Sequence, residues 1–265
     1  MDGHGIIYKW NNIMEEGLYY KIIKPDDPLS HFVDSFWCLN NHSGEIKETI
    51  GLPDGRVDLF LFCSPADGFR ILLLGLGTQP HEQASIPVDC VMFCISLKLL
   101  AVEYILHERI ADIINSGKLL KEDFWGFGEQ DLQDFDRFVE KSTQLLLSIL
   151  PTAIDERKQK LFDLIYKSKG SIPVSELSEK VCWTSRQINR YFNQWFGLSL
   201  KAYSNILRFR ASLDHIVQGK LFPEEHFFDQ NHFIKEIKKF AGVAPKELLK
   251  NKNDRFILLS SLTSK

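Results

Sequence analysis

Residues 172–217 read IPVSELSEKVCWTSRQINRYFNQWFGLSLKAYSNILRFRASLDHIV, and the spacing of apolar residues there leaves few folds open. Leu177 and Val181 share one face of a short helix predicted over residues 176–181, with small Ser178 where a second helix must cross closely. Cys182-Trp183 make the turn. Thr184 then serves as an N-cap, because its hydroxyl can accept from an unpaired backbone N–H of the next turn. The helix it opens buries Ile188, Phe192 and either Trp195 or Phe196, a run at i, i+4 and i+7 or i+8. Gly197 ends it as a left-handed cap. A short helix, a tight turn and a second helix make a helix-turn-helix.

The opposite face of that second helix carries Arg186, Asn189 and Arg190 at i, i+3 and i+4, so they project together. Gln187 and Asn193 add polar groups to the same helix. Arginine can donate two bonds to guanine, and asparagine can pair in bidentate fashion with adenine. Any surface helix has a polar face, so this face alone divides evenly between base reading and plain solvation. Ser199 caps a long helix over residues 201–218, with Tyr203, Ile206, Leu207, Leu213, Ile216 and Val217 as its apolar stripe. After it comes FFDQNHFIKEIKKFAGVAPKEL, residues 227–248. Asp229 caps a helix that buries Phe233, Ile237 and Phe240, and Gly242 and Pro245 close it. Gln230, Asn231, Ile234, Lys235 and Lys238 fall near its other face, as suits a second groove-entering helix.

Charge tips the balance. The formal total is −3, but residues 1–154 carry 12 basic against 23 acidic side chains, net −11, and residues 155–265 carry 20 against 12, net +8. A basic second part joined to an acidic first part points to a nucleic-acid partner for the second.

The first hundred residues read as strands. Residues 52–62, LPDGRVDLFLF, open with a Pro-Asp-Gly turn and continue with a run apolar on both faces, as in a strand buried in a sandwich or barrel. Residues 71–76 and 88–97 are predicted as further strands. The pattern changes to helical over residues 99–106, 131–149 and 161–166, with Pro151 and Gly170 as breakers. The expected class is α+β: a β-sandwich or barrel (cupin-like) domain with helices over residues 1–151, then an all-α domain with two helix-turn-helix units over residues 152–265.

Residues 172–248 resemble the C-terminal domain of the AraC/XylS family of transcription regulators. SRQINRYFNQWFGLS and FDQNHFIKEIKKFAGVAP carry the resemblance, joined by the helix containing ILRFRASL. The resemblance implies two helix-turn-helix units joined by a long helix, each recognition helix reading a major-groove segment of double-stranded DNA. It implies base-reading places at Arg186, Asn189 and Arg190, and at Gln230, Asn231, Ile234 and Lys235. One departure stands out. Between the long helix and the second recognition helix the chain has only KLFPEEHFF, about one helical turn short, with Pro223, Glu224, Glu225 and His226 in it. The first unit is therefore the expected stronger reader. LSHFVDSFW, LPDGRVDLFLF, GLGT and FWG are similar to an uncharacterised sensor-like domain found ahead of some such DNA-binding domains. That similarity implies a regulatory domain answering a small-molecule effector or a partner. RNA polymerase and a second copy of the chain are further partners the resemblance admits.

Other chemistry finds little support. His31, His42, His81 and His107 are scattered with no His-x-His, so neither a metal nor a cofactor is expected. Cys90 and Cys94 share a strand face, and buried core thiols are the simpler reading than redox or metal sensing. Five cysteines without a CxxC suit a reduced compartment. Asp54 reads as a turn residue, since no nucleophile or base partner accompanies it, and no enzyme is expected. No run approaches about eighteen apolar residues, and the first ten residues lack the pattern of a signal peptide, so the expectation is a cytoplasmic protein without a membrane span. A barrel enzyme with a DNA-targeting tail, and an interaction protein with a degenerate helix-turn-helix domain, remain the alternatives.

Overall fold

The computed structural model describes residues 13–15, 17–222, 229–251 and 255–256. Among these residues nine strands come first: β1 Ile13–Glu15, β2 Leu18–Ile23, β3 Val33–Asn41, β4 Lys47–Gly51, β5 Val57–Ser64, β6 Gly68–Leu74, β7 His81–Ile86, β8 Cys90–Leu97 and β9 Gly117–Leu119. Eight α-helices follow or interleave among the described residues: α1 Leu99–Tyr104, α2 Phe135–Ser148, α3 Glu156–Lys167, α4 Val174–Lys180, α5 Ser185–Phe196, α6 Leu200–Val217, α7 Gln230–Ala241 and α8 Pro245–Lys250. The chain is thus α+β, an antiparallel β domain followed by a helical one. Among the described residues no helix is long and apolar enough to cross a membrane.

Seven strands form one sheet in the order β1-β2-β3-β8-β5-β6-β9, and β4 pairs with β7 in a second, two-stranded sheet. β8 lies between β3 and β5, pairing Phe36 with Ile95 on one side and Leu59 with Ile95 on the other. The central strands are apolar on both faces because both faces are covered. On one face, Phe36, Leu59, Leu61, Phe93 and Ile95 join the main core, where Phe93 meets Phe135 and Phe138 of α2 at 5.2 and 5.4 Å between ring centroids. On the other, Leu18, Tyr20, Leu39 and Cys90 pack with Ile86 of β7, with Trp37, Phe62 and Met92 against them. Period-two alternation is hidden in such a strand, since one face is buried and the other is largely covered.

The expected strands at residues 52–62, 71–76 and 88–97 correspond to β5, β6 and β8 with shifted ends. Asp54 does stabilise its turn: its carboxylate accepts from the backbone N–H of Arg56 at 2.9 Å. Cys90 and Cys94 are both buried, and all five cysteines are unpaired. Burial pushes the Cys90 thiol up to about 12, so it stays protonated as a core group. Phe36, Phe60 and Phe127 are core residues as well.

The apolar core does not stop at Pro151. One continuous cluster runs from Phe36 and Phe93 of the sheet through Leu100 and Val102 of α1, then Leu161 and Phe162 of α3, to Phe192, Phe196 and Tyr203 of the helix-turn-helix region. Phe162 sits centrally, with Phe192 5.8 Å and Phe196 6.0 Å from its ring.

Polar groups bridge the same junction. The Tyr203 hydroxyl lies 2.9 Å from the Gly55 carbonyl oxygen and 3.1 Å from the Tyr166 hydroxyl, which accepts from Leu99 N–H at 3.0 Å. A carbonyl has no proton to give, so Tyr203 donates to Gly55 and Tyr166 donates to Tyr203. Arg56 lies over the Tyr166 ring and donates to Asp34 at 2.8 Å. Burial alone would raise the Asp34 carboxyl, but Arg56 and Lys24 beside it hold it well below the usual range. Asp58, facing Ser96 across the strands, has the opposite fate: burial, and then the Asp54 carboxylate, push it up to about 7.

Candidate nucleic-acid interface

α4, α5 and the turn between them form the expected first helix-turn-helix. α4 begins two residues earlier than predicted, at Val174, because Pro173 takes the N-cap position with extended backbone. Cys182 turns the chain with φ +51°. Thr184 then closes a capping box: its hydroxyl accepts from Gln187 N–H, while the Gln187 side-chain oxygen Oε1 accepts from Thr184 N–H at 3.0 Å and lies 2.7 Å from its hydroxyl. Ile188, Tyr191, Phe192 and Phe196 are buried along the inner face, each large side chain contributing about 1.5–3 kcal/mol of apolar burial. Trp195 is only half-buried.

Gly197 ends α5 at φ +74°, and this position needs glycine twice over. The left-handed backbone disfavours any side chain, and a Cβ would lie 2.8 Å from the Ala111 carbonyl oxygen and 2.7 Å from Ile114. The strand half thus touches the end of the helix directly. The Ile110 N–H also donates to the Trp195 carbonyl at 2.9 Å, satisfying one of the last carbonyls that no helix can satisfy internally.

The outer face is where the expected site residues separate into two kinds. Arg186, Arg190 and Asn193 are exposed, and their side chains form no hydrogen bond or ion pair with the described residues. Arg186 and Arg190 stand one turn apart on one stripe of the helix. Gln187 is exposed but commits its amide oxygen to the cap, leaving only its NH2 group. Asn189 is half-buried and commits both ends of its amide: its NH2 donates to the Ser185 carbonyl at 3.0 Å, and its oxygen accepts from Leu200 N–H at 3.2 Å. That second bond ties the middle of α5 to the first turn of α6, beside the Ser199 cap.

The second unit is described in part. Asp229 caps α7 by accepting from His232 N–H at 2.8 Å, and Gly242 closes it with φ +74°. Phe233, Ile237 and Phe240 are buried; Gln230, Asn231, Lys235 and Lys238 are exposed, and Ile234 is half-buried. Pro245 opens α8. The shortened stretch with Pro223, Glu224, Glu225 and His226 lies outside the described residues, as do the first ten residues and the side chain of His81. Among the described residues no group of three His, Cys, Asp or Glu side chains could hold a metal ion.

Reading the sequence missed what lies behind α5. Tyr191 donates its hydroxyl to Glu103 of α1 at 2.7 Å, and Lys158 of α3 donates to the other oxygen of that carboxylate at 2.6 Å. Both charged side chains are more than four-fifths buried, at 17% and 16% exposure. The Lys158 ammonium also sits 4.8 Å from the centre of the Tyr191 ring. Burial, and then the Glu103 carboxylate, push the Tyr191 phenol far above its ordinary range, so it remains a donor at any physiological pH. The one signal in the sequence was a hydroxyl-bearing aromatic on the inner face of an amphipathic helix.

No family model matches the chain, and no curated protein matches it. Solved structures do. ToxT from Vibrio cholerae O395 aligns at 13% identity and a TM-score of 0.42, covering 89% of this chain and 98% of that one. Unsaturated fatty acid bound wild-type ToxT from Vibrio cholerae strain SCE256 aligns at 11% identity and 0.37, covering 88% and 94%. These are loose likenesses of chain path, and the reading of the interface rests on its own residues.

Proposed function

We propose that this chain is a sequence-specific DNA-binding transcription regulator of the AraC/XylS type, reading duplex DNA mainly through α5. The observation that carries this reading is the outer stripe of α5. Arg186 and Arg190 are two exposed, uncommitted guanidiniums one helical turn apart, on a helix fixed at its start by a capping box and at its end by Gly197. Guanidiniums so held suit guanine edges in the major groove. Asn193 extends the stripe, and Gln187 offers its free NH2 group. Asn189 acts from inside, fixing α5 to α6 instead of reading adenine. α7 supplies Gln230, Asn231, Ile234, Lys235 and Lys238 as a second, lysine-rich contact, weighted toward phosphate. The β domain answers a small-molecule effector or a partner, and α1 and α3 carry its response.

Selection from a random duplex library tests this. The wild-type chain enriches a defined site, and affinity for that site falls steeply with salt. Arg186→Ala and Arg190→Ala each cost about 1–3 kcal/mol and relax base preference at one position. Failure to enrich any sequence, or wild-type affinity in both variants, would refute the proposal.

A further inference from the structure

Arg190 and Tyr191 are consecutive residues of α5 with opposite tasks. Arg190 is exposed on the outer stripe, while Tyr191 is 6% exposed and reaches back to Glu103. Successive residues of a helix are rotated by about 100°, so whatever holds Tyr191 also fixes the angle at which Arg190 leaves the helix. A roll of about 10° moves atoms at a side-chain radius of about 6 Å by roughly 1 Å. The useful range of a hydrogen-bond distance spans about half that.

Glu103 is well placed to control that roll. It stands on α1, which follows β8 directly, so its backbone is continuous with the central strand of the sheet. Its two oxygens face different elements, one toward Tyr191 of α5 and one toward Lys158 of α3. Both partners of the ion pair are more than four-fifths buried, so little solvent screens it. The second restraint on α5, from Ile110 N–H to the Trp195 carbonyl, also comes from the strand half and acts about one turn further along. Two anchors on one side of a helix fix its roll as well as its position.

We propose that Glu103 is a positioning residue for base reading: through Tyr191 it sets the roll of α5 and hence the register of Arg186 and Arg190 in the groove. This assignment rests on the duplex-reading function proposed above. It makes the α1–α5 contact the place where a change in the β domain alters specificity without any residue of that domain touching DNA.

The test uses the full chain, the duplex enriched by the wild type, and a scrambled duplex of equal length. Tyr191→Phe keeps the ring and removes only the bond to Glu103. It lowers the ratio of specific to scrambled affinity about tenfold, the size of effect that coupling between contacting residues commonly has. Affinity for the scrambled duplex stays within about twofold, because phosphate contacts tolerate a small roll. Glu103→Gln keeps an acceptor for the Tyr191 hydroxyl and retains most of the ratio, whereas Glu103→Ala loses it. Adding Tyr191→Phe to Glu103→Ala lowers it no further. An unchanged ratio in Tyr191→Phe overturns the assignment. So does an equal fall on both duplexes, which would mark general destabilisation. A wild-type chain that enriches no sequence overturns the duplex-reading function itself, and this assignment with it.

Discussion

The hydroxyl of Tyr203, in the middle of the long helix α6, donates to the backbone carbonyl of Gly55, in the turn that precedes β5, across 2.9 Å. The two residues are 148 positions apart in the chain, and the bond closes a relay that begins at Leu99 N–H and passes through Tyr166. Each hydroxyl in it accepts one proton and gives one, so the buried junction leaves these groups satisfied. Gly55 has φ +77°, and a Cβ there would lie 3.0 Å from Leu207 and 3.2 Å from the Tyr203 ring.

Tyr203→Phe removes one hydroxyl, strands the Tyr166 proton and leaves the Gly55 carbonyl only its long bond from Arg56, at 3.4 Å. A loss of about 1–3 kcal/mol in stability is expected. Urea unfolding followed by far-ultraviolet circular dichroism reads it. A change below about 0.5 kcal/mol would show that water replaces the hydroxyl at no cost.

Asp58 gives a pH signature. Burial, and then the Asp54 carboxylate, push its carboxyl up to about 7 in the folded chain, against about 4 unfolded. Between those values the unfolded state releases its proton first, so the contribution of Asp58 to stability falls as pH rises from about 4 to 7 and is level above. Asp58→Asn removes this penalty. The variant should be more stable than the wild type at pH 8, and the advantage should shrink toward pH 4. Denaturant midpoints for both chains across that range decide it; a gap that widens on acidification would contradict the sign.

Asn189→Ala should cost stability, because it strands Leu200 N–H and cuts the tie between α5 and α6. A drop of about 1–2 kcal/mol is expected, which at this chain length lowers the melting temperature by roughly 2–8 °C. Arg186→Ala, whose side chain makes no hydrogen bond or ion pair with the described residues, should leave the melting temperature unchanged. Equal shifts in the two variants would remove the distinction drawn between them.

Separating the halves should fail. A fragment of residues 152–265 would expose Tyr166, Tyr191 and Tyr203 where they now meet Leu99, Glu103 and Gly55. It should bind a hydrophobic dye and unfold well below the full chain. A fragment that melts at the temperature of the intact protein would mean the shared core contributes little.

The helical half was legible because its signals are local. Thr184, Ser199 and Asp229 cap where a hydroxyl or carboxylate meets the next backbone N–H groups, and Gly197 and Gly242 stop helices whose periodicity ends beside them. The strands were half legible. β5 and β8 stand out as apolar runs, but β2 and β3 mix buried and half-buried polar residues with apolar ones, and nothing local tells that β8 inserts between β3 and β5. The interface divides the same way. Periodicity put Arg186, Asn189 and Arg190 on one face, where Arg186 and Arg190 are exposed and Asn189 is half-buried. It could not show that the Asn189 oxygen would find Leu200 eleven residues on, or that Tyr191 would find Glu103 eighty-eight residues back.

The undivided core has a consequence for how such a chain can change over evolutionary time. Helix-turn-helix domains are often treated as cassettes, exchangeable behind any partner domain. Here an exchanged helical half would have to bring a glycine to meet Ala111, a hydroxyl to meet Gly55 and a donor to meet Glu103. Recombination at residue 151 would break all three at once, whereas point substitution on the outer stripe of α5 breaks none. On the duplex-reading function proposed above, specificity is therefore easier to change by point substitution than by exchange of a whole half.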